Sequence, residues 1–489
     1  MIAGPPAGGR RPPRPDSRAG VRDVRPGRAP RGGRPPSDPA RQAAYEAVAA
    51  VHRDDAYANL ALPEILRDMR LAGRDAAFAT ELTYGTLRVR GTLDAILTDA
   101  AGRDMQRIDP PARDCLRLGA YQILYTRVPA HAAVSSTVDL VRAVAPGAAG
   151  FANAVLRTVT ERDLDAWLAK VAPAYDDDPV GHLALVHSHP QWIVRAFAEA
   201  LGGDLDDTAR LLAEDNQPPA VHLCARPGLA DPIALADEVG GSPGAFSPYA
   251  VYLPGGAPGD LAAVRDGRAH VQDEGSQLVA LALAQAPVDG PDARWLDLCA
   301  GPGGKAALLG AIAAGRGARV TAVEVIEHRA VLVEQSVRGL PVDVLLTDGR
   351  TAGLGDDLPE SGFDRVLVDA PCTGLGSLRR RPEARWRRVP SDLPPLTKLQ
   401  RELLGAALRA VRPGGVVAYV TCSPHVVETQ VTVTEAARRA TVPVDLIDVR
   451  PLLPGVPGLG TGPSVQLWPH RHGTDAMFLA LLRRTPAPA

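Results

Sequence analysis

The sequence predicts a doubly wound α/β domain with a mostly parallel sheet, preceded by an all-helical domain and a small α/β linking module. Three observations carry this reading. From about residue 269 onward, short apolar runs alternate with longer helix-like segments, the pattern of a parallel sheet covered on both faces. Over residues 38–165 the apolar positions recur at helical spacing, and strand-like alternation is nearly absent. The length of 489 residues leaves room for two to four domains, each with its own core.

Residues 1–37 contain nine Pro, seven Gly and nine Arg, with only Asp16 and Asp23 against them. Such a segment cannot offset its ordering entropy by burial, so it is expected to be a disordered basic arm. The arm carries +7, which leaves −9 on the remainder and gives the formal −2 of the whole chain. A basic arm of this kind can track phosphates. Only Lys170, Lys305 and Lys398 are lysines, against 51 arginines. Arginine clusters therefore inform less than usual here, and Lys305 slightly more.

Hydrophobic residues make up 45% and charged residues 22%, ordinary values for a globular chain. No uninterrupted apolar stretch reaches the roughly 18 residues of a membrane span, and the N-terminus lacks a signal-peptide core. Five scattered cysteines do not form a disulfide framework, so a reducing cytoplasm is the expected compartment.

Within the helical region, Ala44, Val48 and Val51 share one stripe, and Leu116, Ala120, Ile123 and Leu124 share another. Asp109-Pro110-Pro111 reads as a helix start. Leu87-Arg88-Val89-Arg90-Gly91, Leu116-Arg117-Leu118-Gly119-Ala120-Tyr121-Gln122, Val128-Pro129-Ala130-His131 and Gly150-Phe151-Ala152-Asn153 resemble stretches of the NusB family of small helical RNA-binding domains. That resemblance implies RNA or partner contacts for this domain. Residues 163–180, with Asp176-Asp177-Asp178-Pro179, read as an acidic linker. The linking module follows over residues 176–268. His187 and His189 lack a third donor at ligand spacing, so no metal site is expected.

The expected parallel strands cover residues 295–298, 320–323, 342–346, 366–368 and 416–420, in a domain reaching residue 486. Ligands of such sheets bind at the carboxyl ends of the strands. After the first strand comes Asp297-Leu298-Cys299-Ala300-Gly301-Pro302-Gly303-Gly304-Lys305, a glycine-rich turn opening a helix. Its glycines allow close backbone approach, and the helix start offers free N–H groups. Glu324 ends the next strand, where a carboxylate can take ribose hydroxyls. Asp348 ends the third, in position to meet an adenine amino group. The spacing is neither G-x-G-x-x-G nor a phosphate-binding loop, so a nucleoside cofactor is indicated without saying which.

Asp369-Ala370-Pro371-Cys372-Thr373-Gly374 ends the fourth strand and Thr421-Cys422-Ser423 the fifth. Two cysteines would then face one crevice. One chemistry wants such a pair beside a nucleoside cofactor. Carbon 5 of cytosine is a poor nucleophile until a thiolate adds to carbon 6, after which it can accept a methyl from a sulfonium donor. The base must first leave its stack. Local chemistry does not order the two cysteines.

The residues Asp297 to Lys305, Asp369 to Gly374, Arg379-Arg380-Arg381-Pro382-Glu383 and Thr421-Cys422-Ser423 resemble the RsmB/Sun family of ribosomal-RNA cytosine-5 methyltransferases. Val271-Gln272-Asp273-Glu274 is similar to that family's lead-in helix. The resemblance implies a Rossmann-like methyltransferase domain using S-adenosyl-L-methionine. Cys299, Ala300, Gly301, Pro302, Gly303, Gly304, Lys305, Glu324, Arg329, Asp348 and Asp369 would hold the cofactor. Cys422 would be the nucleophile and Cys372 would assist product release, with Asp369 orienting the cytosine edge. The expected partner is RNA, best guessed as the 16S ribosomal RNA of the small subunit, with no metal, no membrane and a monomeric state.

Two alternatives stand beside this: methylation of another RNA such as transfer RNA, or a catalytically silent RNA-binding assembly scaffold. Residues 379–388 hold six arginines around Trp386, and Arg379, Arg380, Arg381 and Trp386 are candidate RNA contacts. Three departures from the family pattern are visible. Gly301 replaces the usual Ala and is expected to widen the loop slightly. Cys224-Ala225-Arg226 lacks an Arg-x-Asn, and Thr429 stands where Asn is usual after Glu428. At the C-terminus, runs at 465–467 and 476–482 are expected to close the sheet as an antiparallel hairpin, with His470 and His472 in its loop.

Overall fold

The computed structural model describes residues 38–486, so the basic-arm reading of residues 1–37 lies outside the described residues. Helices Pro39–Arg53, Ala58–Asp68, Gly73–Arg88, Arg90–Ala101, Pro110–Tyr125, Ala130–Val144 and Ala149–Val159 build the first unit. Asp38 caps the first of them by accepting from the Arg41 amide at 3.0 Å. Pro110 opens the fifth, where its missing N–H costs nothing. Ala44, Val48, Leu82, Leu93, Ile96, Leu116, Val141 and Leu156 fill one core.

The linker expected over 163–180 is instead largely helical. Helix Leu164–Val171 packs Trp167 into the core of the first unit, fully buried, with its indole N–H on the Val159 carbonyl at 3.0 Å. Asp163 and Asp178 are N-caps of this helix and of helix Pro179–Val186. An acidic residue at a helix start looks like a break in sequence and acts as a cap in the fold. Trp167→Ala is expected to cost about 3–5 kcal/mol in chemical denaturation; a loss within 0.5 kcal/mol, as expected of a surface linker, would contradict this packing.

The middle module continues with helices Gln191–Ala200 and Leu205–Glu214, then strands β1 (Val221–Ala225), β2 (Ser242–Pro243), β3 (Ala250–Leu253) and β4 (Ala269–Val271). They form an antiparallel sheet in the order β2-β3-β1-β4. Strand β4 falls where the next domain was expected to open, but it pairs with β1, Leu223 opposite Val271. The module's sheet therefore extends past residue 268.

The second sheet contains β5 (Arg294–Asp297), β6 (Arg319–Glu324), β7 (Val342–Leu346), β8 (Phe363–Asp369), β9 (Val411–Thr421), β10 (Val444–Ile447), β11 (Val465–Gln466) and β12 (Phe478–Arg484). Its order is β10-β12-β9-β8-β5-β6-β7, with β11 pairing β12 off that path. The strands β5 to β9 are parallel to their neighbours, and β12 runs antiparallel to β9, β10 and β11. All five expected parallel runs are strands. The expected hairpin exists as β11 and β12, but most of the β12 ladder lies against β9 and β10.

Both faces of the sheet are covered. Trp295, Val320, Leu367 and Ala418 face the side of helix Glu274–Gln285, and Leu296, Val366, Val368 and Val417 face that of helix Leu393–Ala410. Such two-sided burial explains the near-continuous apolar runs of these strands. Chain direction across the sheet reverses between β5 and β8, because β6 and β7 lie on one side of β5 and β8 and β9 on the other. This switch point opens a crevice at the carboxyl ends of the strands.

Candidate active site at the strand ends

Around the switch point the ends of β5, β6, β8 and β9 present Asp297, Glu324, Asp369 and Thr421. The loop 299–305 leaves β5 and enters helix Gly304–Arg316. It is pinned to β6 by the Ala300 amide, which donates to the Val323 carbonyl at 2.9 Å. Gly303 has φ +112°, and a Cβ there would lie 2.6 Å from the Ser336 Cβ, so glycine is required on two counts. The Ser336 hydroxyl donates to the Pro302 carbonyl at 3.1 Å.

Carboxylates dominate this end of the sheet. Asp297 is 1% exposed, and its Oδ2 has no hydrogen-bond partner among the described residues. Burial, then the charge of Asp369, pushes its carboxyl up to about 7. Glu324 accepts from the Val325 and Ile326 amides at 3.0 Å each and from the Gly301 amide at 3.1 Å. Arg329 lies 3.5 Å from Glu324 and donates to the Gly301 carbonyl at 2.6 Å.

A Cβ on Gly301 would fall 2.2 Å from the Glu324 carboxylate and 2.8 Å from Arg329 Nε, so these side chains occupy the space a methyl would take. Asp348 is engaged by its own neighbour, accepting from the Arg350 amide at 2.9 Å and from its guanidinium, which holds its carboxyl below the usual range. Cys299 is packed against the core beneath the loop, and burial, then Asp297, pushes its thiol well up.

Lys305 and the two remaining cysteines complete the crevice. The Lys305 ammonium sits 2.8 Å from Asp369 Oδ2. Burial opposes its charge, but Asp369 and then Cys422 hold its pKa above the ordinary lysine value. Cys372 Sγ and Cys422 Sγ are 3.4 Å apart, from loops following adjacent parallel strands β8 and β9. The hydrogen bond to Cys422, then burial, raises the Cys372 thiol well above its ordinary value. The two sulfurs thus lie side by side at the crevice, with the Lys305 ammonium close to Cys422.

The arginine segment corrects the sequence reading. Arg379 is buried and faces Asp475 at 3.4 Å, Glu214 at 3.7 Å and Asp273 at 3.8 Å. Arg380 pairs with Asp273 at 2.7 Å and Asp475 at 2.9 Å. Trp386 packs against Gly91, with the Arg90 guanidinium 5.5 Å over its ring. All three side chains engage protein groups, Arg379 fully buried and Arg380 and Trp386 half-buried. Only Arg381 is exposed, 5.1 Å over the ring of Tyr57.

Arg385, unremarked in sequence, lies wholly buried. It donates to the carbonyls of Arg88 (2.8 Å), Ser188 (3.3 Å) and Asp215 (2.7 Å) and to Asn216 Oδ1 (2.7 Å). The segment thus staples the helical unit and the middle module to the Cys372 loop. A planar five-donor guanidinium suits such a junction better than any other side chain.

Remaining candidates have local explanations. His189 is buried, its Nδ1 2.7 Å from the His187 carbonyl. His470 and His472 lie in a short helical turn, His470 3.1 Å from Asp207 and His472 accepting from the Trp468 amide at 2.8 Å. Thr429 does not cap helix Gln430–Arg439; its hydroxyl donates to the His425 carbonyl at 3.1 Å. Among the described residues, no cluster of three or more His, Cys, Asp or Glu side chains could hold a metal ion. Among the same residues, no helix is long and apolar enough to cross a membrane. Sequence reasoning missed Gln400 and the role of Glu428. A lone carboxylate directly after Val426 and Val427, six residues past Cys422, was the available signal.

Comparison with known proteins gives the family. A model of the NusB family matches residues 38–161, and one described as 16S rRNA methyltransferase RsmB/F matches residues 282–483. A Mycobacterium tuberculosis protein named as a methyltransferase is 60% identical over 453 residues, covering 92% of this chain and 98% of its own. The ribosomal RNA small subunit methyltransferase B of Escherichia coli O6:K15:H31 is 32% identical over 361 residues, covering 72% and 80%. Among solved structures, PH0851 superposes with a TM-score of 0.76 at 23% identity, covering 93% of this chain and all of that one, a likeness of fold. The chain belongs to the RsmB/F family of 16S rRNA methyltransferases and carries a NusB-family domain ahead of its catalytic sheet.

Proposed function

We propose that this protein is an S-adenosylmethionine-dependent RNA cytosine-5 methyltransferase acting on 16S ribosomal RNA through a covalent Cys422–cytosine adduct. The observation that carries the reading is the pair of sulfurs 3.4 Å apart at the ends of two adjacent strands, beside Lys305.

The residues at the crevice fit the cofactor. Its sulfonium and ammonium groups are positive, and Asp297, Glu324 and Asp369 offer three carboxylates, one with an unpartnered buried oxygen. The loop 299–305 would hold the methionine part, Glu324 the ribose and Asp348 the adenine edge. When bound, the cofactor supplies an electrophilic methyl on a positively charged sulfur.

The chain's own part follows from its geometry. Cys422 as thiolate bonds to carbon 6 of an extruded cytosine, and the electron pair of the 5,6 double bond shifts to carbon 5. That carbon takes the methyl. Transfer of the carbon-5 proton to solvent water restores the double bond and expels the Cys422 sulfur. Cys372, whose thiol is raised, gives its proton to that departing thiolate and regains one from solvent. Asp369 holds the Lys305 ammonium in place at 2.8 Å, so a positive charge lies close to Cys422. The direct test is whether Cys372→Ala accumulates a denaturation-resistant RNA–protein adduct and Cys422→Ala does not.

A pH dependence follows from Asp297. A positive ligand favours the ionised carboxylate, so affinity for S-adenosylmethionine should fall as pH drops through about 7. Calorimetric titration between about pH 6 and 8 should show proton release on binding. Asp297→Asn should flatten the dependence; an unchanged slope in that variant would exclude Asp297 as its source.

A further inference from the structure

The two cysteines ride on separate loops, and something must hold their sulfurs together. Two backbone links exist, the Gly376 amide donating to the Cys422 carbonyl at 2.8 Å and the Ala370 amide to the Val420 carbonyl at 2.9 Å. The rest of the connection passes through Glu428. Its side chain is completely buried and accepts from the Thr373 amide at 2.9 Å, from the Thr373 hydroxyl, and from the Gln400 side-chain amide at 3.0 Å. Gln400 also donates to the Pro371 carbonyl at 2.9 Å. The residues immediately before and after Cys372 are thus tied to one carboxylate that follows Cys422 in sequence.

Two further contacts close the arrangement. Thr373 Oγ1 lies 3.0 Å from the Ser423 hydroxyl, next to Cys422, and the Tyr419 hydroxyl donates to the Glu428 carbonyl at 2.7 Å. All three donors to the carboxylate are uncharged. A buried carboxylate served only by neutral donors is costly relative to an apolar side chain of similar size. Stability alone therefore does not explain it.

We propose that Glu428 is a positioning residue that holds Cys372 against Cys422 for the release half of the reaction. The inference rests on the cytosine-5 reading above. The split between the two half-reactions follows from where the bonds fall. Cys422 is anchored independently, because Thr421 pairs with Phe478 in the ladder and its hydroxyl donates to the Ser423 carbonyl at 2.9 Å. The flanks of Cys372 are held mainly by Glu428 and Gln400, with Arg388 adding one bond to the Thr373 carbonyl at 3.2 Å. Loosening the clamp frees Cys372 first.

The test uses the full chain, an unmethylated 16S rRNA transcript and S-adenosylmethionine. It measures the rate of adduct formation and the rate of product release separately. Glu428→Ala should form adduct within about threefold of the wild-type rate and release product at least about tenfold more slowly. Thr373→Val, which keeps the amide and loses the hydroxyl, should shift the same ratio in the same direction. Glu428→Gln should restore release, since its oxygen can face the Thr373 and Gln400 donors while its amide meets the Thr373 hydroxyl. Equal slowing of both steps in Glu428→Ala and Thr373→Val, or slowing of neither, would overturn the clamp. If Glu428→Ala does not fold, Thr373→Val alone decides the ratio. Absence of adduct from both Cys372→Ala and Cys422→Ala would instead overturn the cytosine-5 reading beneath it.

Discussion

Cys422→Ala should abolish methyl transfer and covalent capture of RNA together, a loss on the order of 10⁴-fold or more. Without a sulfur at that position no electron density reaches carbon 5 of the base, and burial still holds the neighbouring Cys372 thiol up in that variant. Cys372→Ala should behave oppositely, forming the adduct and failing to resolve it. The two variants differ in which half of the reaction they stop, so a denaturing gel distinguishes them without a rate constant. If Cys422→Ala retained an adduct and Cys372→Ala formed none, the roles of the two sulfurs would be exchanged.

The second large effect concerns stability. Arg385→Ala should destabilise the chain by about 3–5 kcal/mol, because it leaves three carbonyls and the Asn216 side chain unpaired in a dry junction of three units. Burial already presses the Arg385 guanidinium down to about 10, so its retained charge depends on those acceptors. Arg381→Ala, at an exposed site, should change stability by no more than about 0.5 kcal/mol. Denaturant unfolding checks both. If Arg385→Ala left stability unchanged but reduced the slope of log affinity for RNA against log salt by about one, Arg385 would be a phosphate contact after all.

How much of this was legible in the sequence depended on whether the signal was periodic. Strands β5, β6, β8 and β9 are visible because burial on both faces leaves apolar runs between helices, and the edge strand β7 is visible because four of its five residues are Val or Leu. Strand β10 is not, because it lies at the sheet edge and Val444-Asp445-Leu446-Ile447 stays partly exposed. Asp163 and Asp178 looked like parts of a break and are helix caps, a distinction made only by the hydrogen bonds they accept. The two cysteines were legible because each follows a strand end, where side chains of a parallel sheet converge on the crevice.

The arginines were misleading for a physical reason. Composition counts guanidinium groups without showing what they touch, and in a chain with three lysines arginine takes over internal bridging as well as surface charge. Asp273 and Asp475, the partners that bury Arg379 and Arg380, are 106 and 96 residues from Arg379 in sequence, beyond any local pattern. Glu428 escaped for the same reason: its partners Thr373 and Gln400 come from other elements.

The most direct test of the account is transfer of labelled methyl from S-adenosylmethionine to 16S ribosomal RNA from a strain lacking this gene, followed by nucleoside analysis. The account predicts label in 5-methylcytidine with the wild-type chain and none with Cys422→Ala. Label in any other nucleoside, or binding of cofactor and RNA with no transfer to this RNA or to transfer RNA, would contradict it.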